Sequence, residues 1–123
     1  MRKKDYTGKD KAITHALFRA AVLLDITNVD IAEIIGLNES KLSLMGTEGF
    51  MVVEESEAGK RAALFIEIFD GLEAVCGGSL QHMQTWLKTE NSDMGDISPL
   101  KMVKTHEGLI FVCGYLGKVS GWT

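Results

Sequence analysis

One proline, two cysteines and no long apolar run occur in 123 residues. Each shortage excludes something. Proline clashes inside helices and removes a backbone donor, so a chain with a single one is free to be largely helical. Cys76 and Cys113 are too few for a disulfide framework and suit a reducing compartment. No apolar stretch approaches the roughly 18–20 residues of a membrane span. No apolar signal-peptide core follows the basic opening Met1-Arg2-Lys3-Lys4, so the expected location is the cytoplasm, with no membrane contact. Positive charge is short as well: 13 basic side chains against 17 acidic ones leave a net charge of −4 and a pI near 5.3. A domain held on nucleic acid by bulk charge is usually strongly basic. The deficit is even, with 7 basic and 9 acidic groups in residues 1–56 and 6 and 8 in residues 57–123.

What is present reads as globular. Hydrophobic residues at 46% and charged residues at 24% argue against wholesale disorder. At 13.5 kDa there is room for one compact domain, or for two small helical units sharing a core. Ile13, Ala16, Leu17, Ala20, Ala21 and Leu24 follow helical spacing and predict a first helix from about Asp10 to Asp25. Thr27 is the expected cap of a second, with Asp30 as its capping-box partner, and Gly36 stops it. Asn38 caps a third, from Glu39 to about Met45, closed by Gly46. The pattern breaks over Thr47–Ser56, the expected boundary between halves. Ser56 then caps a long helix with an apolar face of Ala62, Phe65, Ile66, Phe69, Leu72, Val75 and Cys76, ended by Gly77-Gly78. A helix from Ser79 to Lys88 and a polar loop, Thr89 to Ile97, follow. Ser98-Pro99 opens a short helix. Thr105 caps the last helix, whose buried side is expected to be Leu109, Ile110, Val112, Cys113 and Leu116. The expected fold is all-α, divided into a basic tail (1–11), a helix-turn-helix domain (12–55) and a small helical domain (56–123).

Groups that would perform catalysis do not converge. His15, His82 and His106 are scattered, and neither a His-Glu-x-x-His zinc pattern nor a Cys-x-x-Cys pair occurs. His106 and Cys113 are two turns apart, ~10 Å along a helix axis, too far to share one metal unaided. Glycine-rich phosphate loops are missing too. The reading is a protein that is not an enzyme, with no catalytic residues, no metal and no cofactor.

Asn28 to Thr47 carries a more specific pattern. A helix-turn-helix needs a small residue where its second helix crosses the first, and Ala32 stands there between Ile31 and Ile35. Its turn needs a residue tolerant of positive φ, and Gly36 follows four residues later. Leu37, Leu42 and Met45 are placed to fasten the second helix to the first. Asn38, Ser40, Lys41 and Ser43 would then face outward as DNA-contacting groups. Glu39 beside them repels phosphate, and no arginine is present to pair with guanine. Two readings stand: a DNA reader that needs dimerisation and the basic tail, or a structural relic without DNA affinity. The tail itself, with Arg2, Lys3, Lys4, Lys9 and Lys11 against Asp5 and Asp10, is either a solvated end or a contact to phosphates.

The second half supplies the sharpest signal. Trp86-Leu87-Lys88-Thr89-Glu90-Asn91, Met94-Gly95, Ser98-Pro99-Leu100 and Thr105-His106-Glu107-Gly108-Leu109 together resemble the toxin-binding domain of Xre/ParS/MbcA-type antitoxins, with Tyr115-Leu116 where the last helix of that family commonly ends. The order of elements before it is similar too, so the resemblance covers about residues 12–121. Asp96 stands where the family pattern has a second glycine.

This resemblance implies a type II antitoxin that neutralises a RES-domain toxin, an NAD-consuming protein with an ADP-ribosyltransferase-like site. It would do so by occluding that site, as a homodimer that also represses its own operon through operator DNA. Carried over residue by residue, the toxin-binding positions are Trp86, Asn91, Gly95, Pro99, Gly108, Tyr115, Gly121 and Trp122. Trp122 either plugs the toxin's cleft or packs on the last helix. Independently, Trp86 is expected to bury itself beneath the Thr89–Ile97 loop with its indole N–H on a loop carbonyl. Asn91 and Gly95 suit positive φ, and Gly108, costly in a helix by ~1 kcal/mol, fits a close backbone approach. The alternative function is a stand-alone helix-turn-helix regulator whose second half dimerises or senses a ligand. A bare interaction module with a vestigial helix-turn-helix is a third.

Overall fold

The computed structural model describes residues 6–47 and 51–120. Among them are seven α-helices: α1 (Gly8–Leu24), α2 (Asn28–Ile35), α3 (Glu39–Thr47), α4 (Glu57–Val75), α5 (Leu80–Lys88), α6 (Pro99–Met102) and α7 (His106–Ser120). A 3-10 turn, Ser92–Met94, lies between α5 and α6, and no strand occurs among the described residues. The all-helical expectation holds.

Most helix starts are set by side chains that satisfy orphan backbone donors. Thr27, Asn38, Ser56, Ser79, Ser98 and Thr105 each accept a hydrogen bond from the N–H three residues on. Two details differ from the sequence reading. α1 starts at Gly8 rather than Asp10, because Thr7 and Asp10 form the reciprocal capping box, at 3.0 and 3.1 Å. Lys9 and Lys11, read as part of the tail, therefore lie in its first turns. The box expected at Thr27 is one-sided: Thr27 accepts from Asp30, but the Asp30 carboxylate turns to Lys104 at 2.8 Å.

α4 is the centre of the molecule. It packs against α1 and α2 on one side and α7 on the other. Ala62, Phe65, Ile68 and Leu72 are fully buried, and one continuous core joins them to residues of both halves. The pairs His106–Glu57 and Cys113–Glu67 show α7 running in the same direction as α4. Being covered on two sides shifts the buried face from the expected one. Ile68 is in the core, Ile66 is half-buried, and Val75 is 44% exposed. On α7, Ile110 is likewise exposed rather than buried, and the helix continues past Gly117. α3 also passes Gly46 to reach Thr47; the side chains of residues 44–47, Met45 among them, are outside the description.

The segment entering α4 is held by a buried polar pin. Thr14 Oγ1 accepts the Val52 N–H at 2.7 Å and donates to the Asp10 carbonyl at 2.8 Å. Asp10 Oδ1 accepts the Glu54 N–H at 2.8 Å while Oδ2 accepts that of Thr7. Val52, fully buried, is fixed as a result. At Gly59 a Cβ would strike the carbonyls of Val53 and Glu54, so this crossing requires glycine.

Backbone donors from Glu54 and then Thr7 hold the Asp10 carboxyl below its ordinary value of 3.8. A depressed folded pKa stabilises the fold above pH ~4 and is lost as pH falls through the folded value. Asp10→Asn is expected to lower the urea midpoint at pH 7 and to flatten its decline in acid. An unchanged acid limb in the variant would remove Asp10 from that role.

Candidate functional site

The sequence-derived site residues divide into three groups. Trp86, Asn91, Gly95 and Tyr115 come together where α5, the following loop and α7 meet. The Trp86 ring stacks on Tyr115, with centroids 6.3 Å apart and planes 24° from parallel. The Tyr115 hydroxyl donates to Asp93 Oδ2 at 2.8 Å. Asp93 in turn donates its N–H to Asn91 Oδ1 at 2.9 Å. Asn91 closes the loop by donating its N–H to the Ile97 carbonyl at 3.1 Å and accepting from Met94 and Asp96 N–H groups, each at 3.0 Å. Beneath this exposed loop Met94 is buried. An aromatic pair and one carboxylate thus clasp the loop to α7.

Two expectations for this cluster are corrected. Asn91 is extended, at φ −129°, rather than at positive φ; its work is done by the side-chain oxygen, which caps the 3-10 turn. Trp86 is half-buried and its neighbour is the Tyr115 ring rather than a loop carbonyl. Gly95 does take positive φ, +70°, and Asp96 follows it at +65°. Asp96 thus keeps the left-handed backbone of a glycine position, which Asp tolerates better than most residues.

Pro99 and Gly108 form the second group. Pro99 is buried at the first position of α6, and Gly108 is buried where a Cβ would collide with the Met102 carbonyl. Both shape the α6–α7 corner from inside. Gly121 and Trp122 form the third group and lie outside the described residues.

Electrostatics around the cluster are quiet. Hydrogen bonding to Asp93, followed by burial, raises the Tyr115 pKa, so the phenol stays protonated well above neutrality. Burial and then the Glu67 carboxylate push the Cys113 thiol up to about 12, which leaves it a donor rather than a nucleophile. His106 faces Glu57 at 2.8 Å, so the two residues weighed as a metal pair face different carboxylates. Among the described residues no group of three or more His, Cys, Asp or Glu could hold a metal. No helix among them is long and apolar enough to cross a membrane.

On α3 and at its cap, Lys41, Ser40, Ser43 and Asn38 are all exposed. Two of them already serve the helix: Asn38 Oδ1 accepts the Lys41 N–H at 2.7 Å, and the Ser43 hydroxyl donates to the Glu39 carbonyl at 3.1 Å. Behind this helix pair lies a network that sequence reasoning missed. Arg61 donates to the carbonyls of Ile34, Glu33 and Lys104 at 2.8, 3.1 and 3.0 Å. Lys104 meets Asp30 and Glu33 at 2.8 and 2.9 Å, and those two carboxylates raise its pKa. Asp93 was missed as well. Its one signal was its position between Asn91 and Gly95 in a turn-rich stretch.

The geometry defines an all-helical protein with a clasped loop on its C-terminal helices, and comparison identifies that part. Residues 71–121 match the family model of the antitoxin Xre/MbcA/ParS C-terminal toxin-binding domain. A protein of Yersinia enterocolitica named Antitoxin Xre is 28% identical over 96 residues, which cover 77% of this chain and 63% of that relative. The chain is thus similar to the Xre/MbcA/ParS-type antitoxins, and the match to their C-terminal domain spans the end of α4, α5, α6 and α7.

Gly108→Ala is expected to lower the stability of the fold by about 1–3 kcal/mol, the usual cost of overpacking. Chemical denaturation checks it, and an unchanged midpoint would return Gly108 to the surface roles.

Proposed function

We propose that the chain is the antitoxin of a type II toxin–antitoxin system and binds its toxin through α5, the clasped loop and α7. The observation that carries this reading is a coincidence of two independent facts. The stretch matched by the toxin-binding family model includes the loop that Trp86, Tyr115 and Asp93 hold in a fixed shape. A surface held rigid before binding loses little conformational entropy on docking, so a preorganised loop suits recognition of a folded partner.

The finer reading is neutralisation of a RES-domain toxin by occlusion of its NAD-consuming site, in the cytoplasm and without a cofactor. Co-expression with a RES-domain toxin, sought first in the neighbouring gene, tests it: growth is rescued and the pair co-purifies. Failure of both would favour the stand-alone regulator. Trp86→Ala removes the stacking partner of Tyr115, worth ~0.5–1.5 kcal/mol beyond burial. It is expected to weaken toxin capture at least tenfold, a 1.4 kcal/mol change, while circular dichroism stays helical. Capture at full strength would dismiss the clasp.

Autorepression is the second finer element, with the protein acting as a homodimer on operator DNA through α2 and α3. Lys41, exposed on α3, supports it; the acidic neighbours Glu33 and Glu39 limit it. Lys41→Ala should weaken a gel shift of the upstream region and reduce its salt dependence by about one phosphate contact. An identical shift would take Lys41 out of the interface.

A further inference from the structure

A pocket of about 380 Å³ opens between the C-terminal end of α4 and α5. That lies within the roughly 300–1,000 Å³ of ligand-sized sites. Cys76 forms one wall. His82, Thr85 and Trp86, on one face of α5 beside the buried Met83 and Leu87, form another. Glu90, just past the end of that helix, also lines it. Tyr115 stacks on the indole but does not line the pocket, so the pocket meets a different part of a ring already held in place. Burial raises the Cys76 pKa, which makes its thiol an uncharged wall. Glu90 is exposed and makes no ion pair among the described residues. Lys88 is the one lysine or arginine among residues 76–96, against Glu90, Asp93 and Asp96, and it is turned to Asp25 at 2.7 and 3.4 Å.

We infer that this pocket is a socket for an arginine side chain of the partner protein, stacked on the Trp86 ring with its guanidinium against the Glu90 carboxylate. The chemistry of the lining selects that guest. An apolar side chain would cover the carboxylate and leave it without a partner, which is costly. A lysine ammonium is a compact, strongly hydrated charge that suits a flat ring poorly. A guanidinium is planar and weakly hydrated, stacks on aromatic rings and meets a carboxylate through two donors. The negative balance of the surrounding stretch favours a basic partner surface. Tyr115 holds the ring before binding, so little conformational freedom is lost on docking. Tryptophan and arginine are also the anchors that most often carry interface affinity. The inference rests on the reading of this surface as the toxin-binding one, and adds the side chain that the toxin must present.

Two measurements on the full chain test the socket separately from that reading. In the first, N-acetylarginine amide is titrated while NMR follows the Trp86 indole N–H, with Trp122→Phe telling the two tryptophan signals apart. The arginine amide shifts the Trp86 signal saturably, and the lysine and leucine amides bind about threefold more weakly or worse. Glu90→Gln removes the preference. In the second, Glu90→Gln is expected to weaken toxin capture about tenfold, and Glu90→Arg to weaken it further. Circular dichroism and the urea midpoint stay unchanged, because Glu90 is exposed and unpaired. A lysine or leucine amide that binds as well as the arginine amide overturns the inference. So does a Glu90→Gln chain that captures toxin like the parent. A parent chain that captures no toxin sinks the toxin reading instead, and the amide titration then decides the socket by itself.

Discussion

The burial of α4 on two sides is the constraint on which the rest of this structure depends. A helix packed on one side needs only a stripe of apolar residues, but α4 carries Ala62, Phe65, Ile68 and Leu72 fully inside and Phe69 nearly so. α1 and α2 cover one flank and α7 the other. Neither half could bury this helix alone, so the N-terminal and C-terminal helices share one core. Crowding around α4 also explains both collision-limited glycines. Gly59 lets the incoming chain cross the first turn of α4, and Gly108 lets the α6 corner close on the helix that lies along it.

The same arrangement directs the charges. Arg61 leaves α4 and ties together the carbonyls at the end of α2 and in the turn before α7. Lys104, in that turn, reaches back to Asp30 and Glu33 on α2. Arg61's bonds to Ile34 and Lys104 and the Lys104–Asp30 pair are partly buried, where an ion pair supported by hydrogen bonds is less screened than one at the surface. Two basic side chains that touch the α2–α3 pair are therefore engaged within the fold. The even −4 of the sequence is thus unevenly used: Arg61 and Lys104 work inside the fold, and Glu39 stays outside. On this account any DNA contact by α3 draws on Lys41 and on polar groups, two of which already bond to their own helix.

Much of this was legible in the residues. Caps and glycines are local devices, so Thr27, Asn38, Ser56, Ser79, Ser98 and Thr105 marked helix starts without knowledge of the fold. Trp86, Asn91, Gly95 and Tyr115 were legible as a set through the family resemblance. What stayed hidden depends on approach between distant segments. Periodicity alone places a buried face to within one residue, and the second cover on α4 decided for Ile68 over Val75. Ile110 looked like core because it is apolar and adjacent to Leu109; only the direction from which α4 approaches leaves it outside. The long-range bonds of Asp10, Thr14, Arg61 and Asp93 leave no pattern in the sequence, since each joins partners between 22 and 44 residues apart.

Asp96 brings these threads together. A second glycine there would relax the loop, since a left-handed conformation costs an ordinary side chain roughly 1–2 kcal/mol. The chain keeps aspartate and still adopts φ +65°. The Asp96 N–H is bonded to the Asn91 carbonyl, whose own N–H is bonded to Ile97, and Asp93 within that ring is held by Tyr115. The loop is therefore closed by its own backbone and then locked from α7, which lets it tolerate a residue of higher backbone cost. The aromatic clasp is what gives the loop one shape. A loop with one shape can serve as a recognition surface.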